Sequence, residues 1–384
     1  MPYWRLSAFY FFYFAALGTL MPYWGLYLQS MGFDPFAIGS LMAILMATKV
    51  VAPNVWGWLG DHLGHRMLIV RLASAASLLA FLAMPGATGF AQIALIMTLY
   101  SFFWNASLPQ FEAVTFNYLG KHVERYSRLR LWGSVGFIVT VLLVGYLVDQ
   151  RGTAVVLTAL LVVFGGIFLS SLLVKDKSGM AADGDQPPIL DVLKTPRVLA
   201  FFAAVFLMQM SHGPYYAFYS IYLQDFGYSK SSIGMLWSIG VLAEVLLFVF
   251  MHRLMHRYSA VLILLVSLAL AALRWLLIGY FPDVLVLLVL SQLLHAASFG
   301  SFHAAAIHLV HGYFRGRHQG RGQALYSSLS FGAGGAVGTF SSGIVWEQWG
   351  APLAYTMASA VALLGAWIVW RFIPASGLPS MTEK

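Results

Sequence analysis

Seven ionisable side chains stand inside long apolar stretches of this chain: Lys49, Glu112, Arg130, Glu244, Arg274, His295 and His303. An ionisable group at mid-bilayer costs at least a few kcal/mol on insertion scales, so such residues normally face a cavity or a partner. Their types divide the chemistry. Lys49 and Arg274 offer cations to an anionic group, Glu112 and Arg130 an acid and a base that orient a polar solute or gate one side, and Glu244, with His295 or His303, groups that take up and release a proton. Each also has a purely structural reading. Lys49 and Glu244 would be an ion pair fastening two parts of the chain, Glu112 and Arg130 an interfacial salt bridge, Arg274 a bond to a helix-end carbonyl, and the histidines satisfied hydrogen-bonding residues. His308 and His311 have no carboxylate or cysteine at ligand spacing, so neither a metal nor any other cofactor is expected.

Aromatic residues gather near these charges. Tyr215, Tyr219 and Tyr222 follow one another at helical spacing, as do Tyr23 and Tyr27, and Trp104, Trp132 and Trp237 add larger faces. One reading is a belt at the membrane interface. The other is a surface on which an aromatic ring stacks beside a cationic carboxylate clamp, with Tyr215, Tyr219 and Trp237 as substrate contacts.

The elements that position these residues are set by composition. Sixty per cent of the chain is apolar and 9% charged, with a mean hydropathy of +0.78, against about a quarter charged in soluble domains. This is an all-α membrane protein. Apolar runs near residues 6–28, 37–57, 67–85, 90–118, 129–149, 153–174, 198–223, 231–251, 260–281, 284–311, 322–346 and 351–373 each suffice to cross a hydrocarbon core of about 30 Å. They predict twelve transmembrane helices in two six-helix bundles, residues 1–174 and 198–384, joined by a linker over 175–197. The first run lacks a small-residue cleavage site and reads as a retained helix. Without cysteine, disulfides and thiolate metal sites are excluded. The net charge of +8 sits mainly in alternate loops: Arg66; Lys121, Arg125 and Arg128; Lys175, Lys177, Lys194 and Arg197; Arg253 and Arg257; Arg315, Arg317 and Arg321. The intervening loops carry only Arg151 and Lys230. That asymmetry is topology and not nucleic-acid binding, and it places both termini and the linker in the cytoplasm.

The halves are related. Tyr27, Leu28, Gln29, Gly32, Ile38, Gly39 and Leu41 return 195 positions later as Tyr222, Leu223, Gln224, Gly227, Ile233, Gly234 and Leu236, and the same register sets Lys49 on Glu244. Deeper in each half the offset becomes 191: Trp104, Ala106, Ser107, Phe111, Glu112 and Ala113 meet His295, Ala297, Ser298, Phe302, His303 and Ala304. Both copies have the same orientation in the membrane, as in parallel repeats about an axis along its normal.

Between the second and third runs the chain reads Gly57-Trp-Leu-Gly-Asp61-His-Leu-Gly64-His-Arg66. Glycines permit a tight turn and close helix approach, and Asp61 suits a helix end or a basic partner. This resembles the Gly-x-x-x-Asp-x-x-Gly-x-Arg signature of the major facilitator superfamily. Within it, Ser127-Arg-Leu-Arg130-Leu-Trp-Gly-Ser-Val-Gly136, Gly213-Pro-Tyr-Tyr216, Gly234 to Glu244, Leu273-Arg274-Trp275 and Leu294 to Gly300 with His303 are similar to the phenylpropionate permease group and the related lactose permease type of oligosaccharide/proton symporters. The resemblance implies that Glu112 and Arg130 stand where the lactose permease type binds sugar, and that Arg274 and His295 match residues serving proton coupling. This chain departs at Ser298, where that type has a coupling carboxylate one turn after the histidine. It departs again at Glu244, displaced by three residues, and at His212, Tyr215, Tyr216 and Tyr219, where paired aspartates would stand. The phenylpropionate permease group fits better.

The expected function is secondary transport by alternating access, as proton symport of a small organic solute, an aromatic or other carboxylate being favoured. The partners are that solute, protons and the bilayer; the expected state is a monomer in the bacterial inner membrane. A neutral sugar or nucleoside symporter and a drug or metabolite efflux carrier are the alternatives. No His-Glu-x-x-His, no Gly-x-Ser-x-Gly and no Gly-x-x-x-x-Gly-Lys-Ser/Thr occurs, which argues against an enzyme and against ATP-driven transport.

Overall fold

The computed structural model describes residues 1–177, 192–314 and 319–374, which are helical almost throughout. Arg315, Arg317 and residues 178–191 of the linker lie outside the described residues. The helices are α1 (Tyr3–Ser30), α2 (Pro35–Leu63), α3 (Arg66–Phe81), α4 (Phe90–Leu119), α5 (Tyr126–Arg151), α6 (Val155–Leu172), α7 (Pro196–Asp225), α8 (Lys230–Arg257), α9 (Ala260–Tyr280) and α10 (Leu285–Tyr313). The remaining helical stretch, Gln319–Phe372, has 54 residues, which at 1.5 Å per residue makes about 80 Å, far beyond one bilayer crossing. It is two helices, α11 (319–349) and α12 (351–372), parted at Gly350 (φ 81°, ψ 178°) two residues before Pro352. All twelve apolar runs are therefore helices. Several helices outlast their run, α2 to Leu63 and α8 to Arg257, because an intact ladder satisfies the backbone beyond the hydrocarbon edge. α3 instead stops at Phe81, before a short turn over Met84–Gly86.

Three helices are locally irregular. α7 is broken at His212, its halves being Pro196–Ser211 and Gly213–Asp225. Pro214 removes one ladder donor, and His212 Nδ1 donates to the Met208 carbonyl at 2.8 Å. α10 carries a π-helical segment at Ala296–Ser301 and α11 another at Ser328–Gly334. Such wide turns are frequent at functional sites.

The chain forms two compact units: α1–α6 cluster with Tyr216–Ser238, and the rest forms the second. In the first, α1 packs on α5 and α6, while α4 packs on α2 and α3. Glycines set the α1–α5 approach. A Cβ at Gly18 would lie 2.6 Å from the Phe137 carbonyl oxygen, and one at Gly136 would collide with the Phe11 backbone. Close approach through small residues is how helices associate where lipid removes the hydrophobic drive.

Tyr216–Ser238 is held to the helix ends opposite the basic loops. Asp149, near the C-terminal end of α5, accepts from the Lys230 and Ser231 backbone N–H groups at 2.8 Å each and from the Ser231 hydroxyl at 2.5 Å. It thus caps the start of α8 from another helix, where the exposed N–H groups and the helix dipole favour an anion. Nearby, Tyr23 donates to the Val141 carbonyl at 2.6 Å. Gln29 and Gln224, equivalent residues of the repeat, bond each other at 3.2 Å.

In the second unit α7 packs along α11 and α12, and α9 along α10 and α12. Cβ atoms at Gly213 and Gly338 would collide with the Gly338 and Met210 backbones respectively, so the α7 break is seated directly on α11.

Candidate functional site

In the first unit Lys49 is half-buried in the middle of α2. Within that unit its ammonium has one acceptor, the Met46 thioether at 3.5 Å. Beside it, Thr48 accepts from the Asn105 amide at 2.9 Å and lies 3.0 Å from the Ser101 hydroxyl, tying α2 to α4.

Glu112 and Arg130 are held separately. Glu112 Oε1 accepts from the Tyr126 hydroxyl at 2.7 Å, while the Arg130 guanidinium lies over the Phe14 ring at 3.6 Å. Around them Tyr10 meets Tyr126 edge-on and donates to Thr115 at 3.2 Å, and Tyr13 stacks on Trp104 at 5.1 Å. An acid and a base therefore stand in an aromatic setting contributed by α1, α4 and α5. Tyr219 and Trp237 belong to this unit through the clustered segment. Tyr219 is fully buried, edge-on to Trp237 at 5.8 Å, and the Trp237 indole N–H donates to Ser220 at 3.1 Å.

The Gly57–Arg66 motif makes the expected turn: Gly64 is left-handed (φ 68°), closes α2 through its N–H to Gly60, and α3 begins at Arg66. The Asp61 side chain lies outside the described residues. Arg66 donates to Gln110 Oε1 at 2.9 Å, and Gln110 Nε2 donates to the Trp56 carbonyl at 3.1 Å. A Cβ at Gly60 would stand 2.6 Å from Gln110 Oε1, whereas at Gly57 the nearest atom is 4.0 Å away. The tight approach is thus at Gly60. Arg71, at the start of α3, donates to the Val174 carbonyl at 2.7 Å and so caps α6.

In the second unit Arg274 is completely buried. Its Nε donates to the Ser291 carbonyl at 3.0 Å, within α10 and not at a helix end. The guanidinium carbon lies 4.2 Å from the Tyr215 ring centre and 4.7 Å from that of Trp275. Nη1 and Nη2 reach no acceptor within the unit. Tyr215, itself buried, donates to Gln292 Oε1 at 2.9 Å, and Gln292 Nε2 donates to the Ser291 hydroxyl at 3.2 Å.

His295 Nε2 lies 3.6 Å from Glu244 Oε2, so the carboxylate of α8 and the first histidine of α10 form a couple. His303 bonds the Tyr326 hydroxyl of α11 at 2.9 Å. Between the histidines Phe299 stacks at 5.2 Å on His295 and 6.4 Å on His303, nearly parallel to both. The two couples lie on one face of α10 and are separated by this ring.

The repeat reaches the contacts themselves. Glu112 and His303, equivalent at offset 191, each bond a tyrosine from the following helix, Tyr126 and Tyr326. Tyr10 and Phe201, at the same offset, pack against those tyrosines. Reading by charge finds Glu112 and His303 but misses Tyr126, Tyr326, Phe14, Gln110 and Gln292. Carrying the repeat into the fifth and eleventh spans would have flagged the two tyrosines.

The chain matches the MFS_1 like family over residues 3–357. It is 30% identical over 382 residues to "Probable 3-phenylpropionic acid transporter" of Escherichia coli (strain K12), covering 95% of this chain and 97% of that one. It is 25% identical to "Maltose permease" of Geobacillus stearothermophilus, covering 94% and 92%. The crystal structure of nucleoside transporter NupG superposes with a TM-score of 0.83 at 19% identity, covering 97% and 99%.

Proposed function

Because this chain belongs to the MFS_1 like family, and so to the secondary transporters of the major facilitator superfamily and not to the enzymes, we propose that it carries a small organic carboxylate together with protons. Two half-bundles, 1–174 and 198–384, alternate access to the substrate.

One observation carries the carboxylate reading. The Arg274 guanidinium is completely buried with Nη1 and Nη2 unbonded in its unit, and a buried cation is costly until an anion and hydrogen-bond acceptors meet it. Lys49, whose acceptor within its own unit is a thioether, repeats that imbalance in the other half. A planar carboxylate matches a guanidinium fork bidentately. Tyr215 and Trp275, which flank the guanidinium, supply aromatic faces beside it. The name of the E. coli relative, a phenyl ring on a short carboxylic acid, fits that chemistry. Glu244 with His295 supports proton coupling: a carboxylate 3.6 Å from an imidazole holds or releases a proton as substrate charge arrives. His303 with Tyr326 is a second proton site on the same face.

The test is uptake of 3-phenylpropionate into proteoliposomes with an imposed pH gradient. Accumulation follows an acid exterior and collapses with a protonophore; uptake indifferent to the gradient would remove the proton from the proposal.

A neutral sugar or nucleoside is the second reading. Glu112 bonded to Tyr126, with Trp104 and Tyr13 stacked nearby, supports a polyhydroxylated ring, and Maltose permease is among the relatives. Competition separates the two: maltose or uridine displacing labelled phenylpropionate at low concentration would favour it.

A further inference from the structure

The Arg274 guanidinium has two covers of different kinds. Trp275 is its neighbour on α9, and the Trp275 indole N–H donates to the Ser211 hydroxyl at 3.2 Å. Ser211 ends the first half of α7, before the break at His212. Tyr215, the other cover, lies just after that break, which is seated on α11 through Gly213 and Gly338. The boundary between the two compact units runs between Tyr215 and Tyr216. Both walls of the guanidinium belong to the second unit, Trp275 tied to the first half of α7 and Tyr215 standing beyond the break at His212. Tyr215 sits at the root of a segment that clusters with α1–α6.

We propose that Tyr215 is a positioning residue and a removable lid: seated, it holds the Arg274 guanidinium flat and shuts it off, and it lifts with the outer half of α7 to admit an anion. This rests on the carboxylate reading above and deepens it, since it says when the cation is available. The closed seat includes the ring face at 4.2 Å from the guanidinium carbon, the hydroxyl bond to Gln292 at 2.9 Å, and ring contacts with Trp275 at 5.8 Å and His295 at 6.2 Å. In this seat Nη1 and Nη2 are enclosed as well as unbonded in their unit. A carboxylate cannot reach them until a cover moves, and Tyr215 is the one on the far side of a helix break. Breaks between short helical pieces absorb such rotations. Because the lid must open before the anion binds, the apparent affinity carries the cost of opening.

The chain has no cysteine, so one introduced thiol reports access without a background. Ser291→Cys places it next to the Gln292 carboxamide that holds the Tyr215 hydroxyl, on the buried residue whose backbone carbonyl holds Arg274 Nε. The probe is an anionic methanethiosulfonate, its labelling rate compared in three backgrounds, Tyr215, Tyr215→Phe and Tyr215→Ala. The lid predicts slow labelling with Tyr215, about fivefold faster with Tyr215→Phe, which keeps the ring but loses the Gln292 bond, and faster again with Tyr215→Ala. Rates equal within about twofold in all three would overturn it. Should Tyr215→Ala fail to give monodisperse protein, Tyr215→Phe alone decides. Labelling requires no transported substrate, so a protein that refuses 3-phenylpropionate leaves this result intact. On transport, Tyr215→Phe lowers KM for the carboxylate, whereas a merely destabilised protein would lose active fraction at unchanged KM.

Discussion

At the scale of the residue, a charge that helps substrate binding should harm the fold, and Lys49 tests both sides of that balance. Replacing it by alanine is expected to raise KM for a carboxylate by about 10-fold or more, the worth of one charge-assisted hydrogen bond, with Lys49→Arg recovering part. The same substitution should leave the Tm of purified protein unchanged or higher, because a half-buried ammonium bonded in its unit to a thioether gains little from the folded state. An unchanged KM, or a Tm several degrees lower, would recast Lys49 as structural. The ionisable members of the candidate site were legible because each interrupts an apolar run, and a charge in such a run stands out. Tyr126, Phe14 and Gln292 were not: aromatic and amide side chains are ordinary in spans, and their importance comes from which neighbour they meet across a helix interface. Nor could sequence decide between open readings of Arg274, whose Nε bonds a carbonyl while Nη1 and Nη2 bond nothing within the unit.

At the scale of the element, the existence of the helices was readable, while their exact ends and irregularities were not. Proline alone does not mark a break: α1, α2 and α4 run through Pro22, Pro53 and Pro109, while α7 breaks beside Pro214. The difference lies in Gly213 and in the close seat against Gly338, which depends on a helix more than a hundred residues later. The Asp149 cap is equally non-local, and its weight is measurable. Asp149→Asn keeps the shape but removes the charge on the α8 start, at a cost of about 1 kcal/mol for an exposed group. Cysteines replacing Gln29 and Gln224, whose side chains meet at 3.2 Å, report the consequence: a short bifunctional cross-linker should join them less efficiently in Asp149→Asn. Equal yield with and without the substitution would mean that the segment is held by the other contacts alone.

At the scale of the molecule, the twelve-span plan and the internal repeat were open to reading because hydrocarbon thickness fixes span length and because a duplicated half keeps glycines, polar and apolar residues together. The clustering of Tyr216–Ser238 with α1–α6 was closed to it, since such grouping arises from contacts distant in the chain. Orientation remains a proposal drawn from loop charge, and labelling settles it. In intact cells a membrane-impermeant thiol reagent should modify Arg151→Cys and spare Lys177→Cys until the membrane is opened; the reverse pattern would invert the topology. The break at Gly350 has a consequence for biogenesis. A single residue parts α11 from α12, so no slack chain lets the first cross and wait for the second. So short a joint favours insertion of the last two spans together as a hairpin, and on the orientation proposed from loop charge Glu347 would be carried over near its tip.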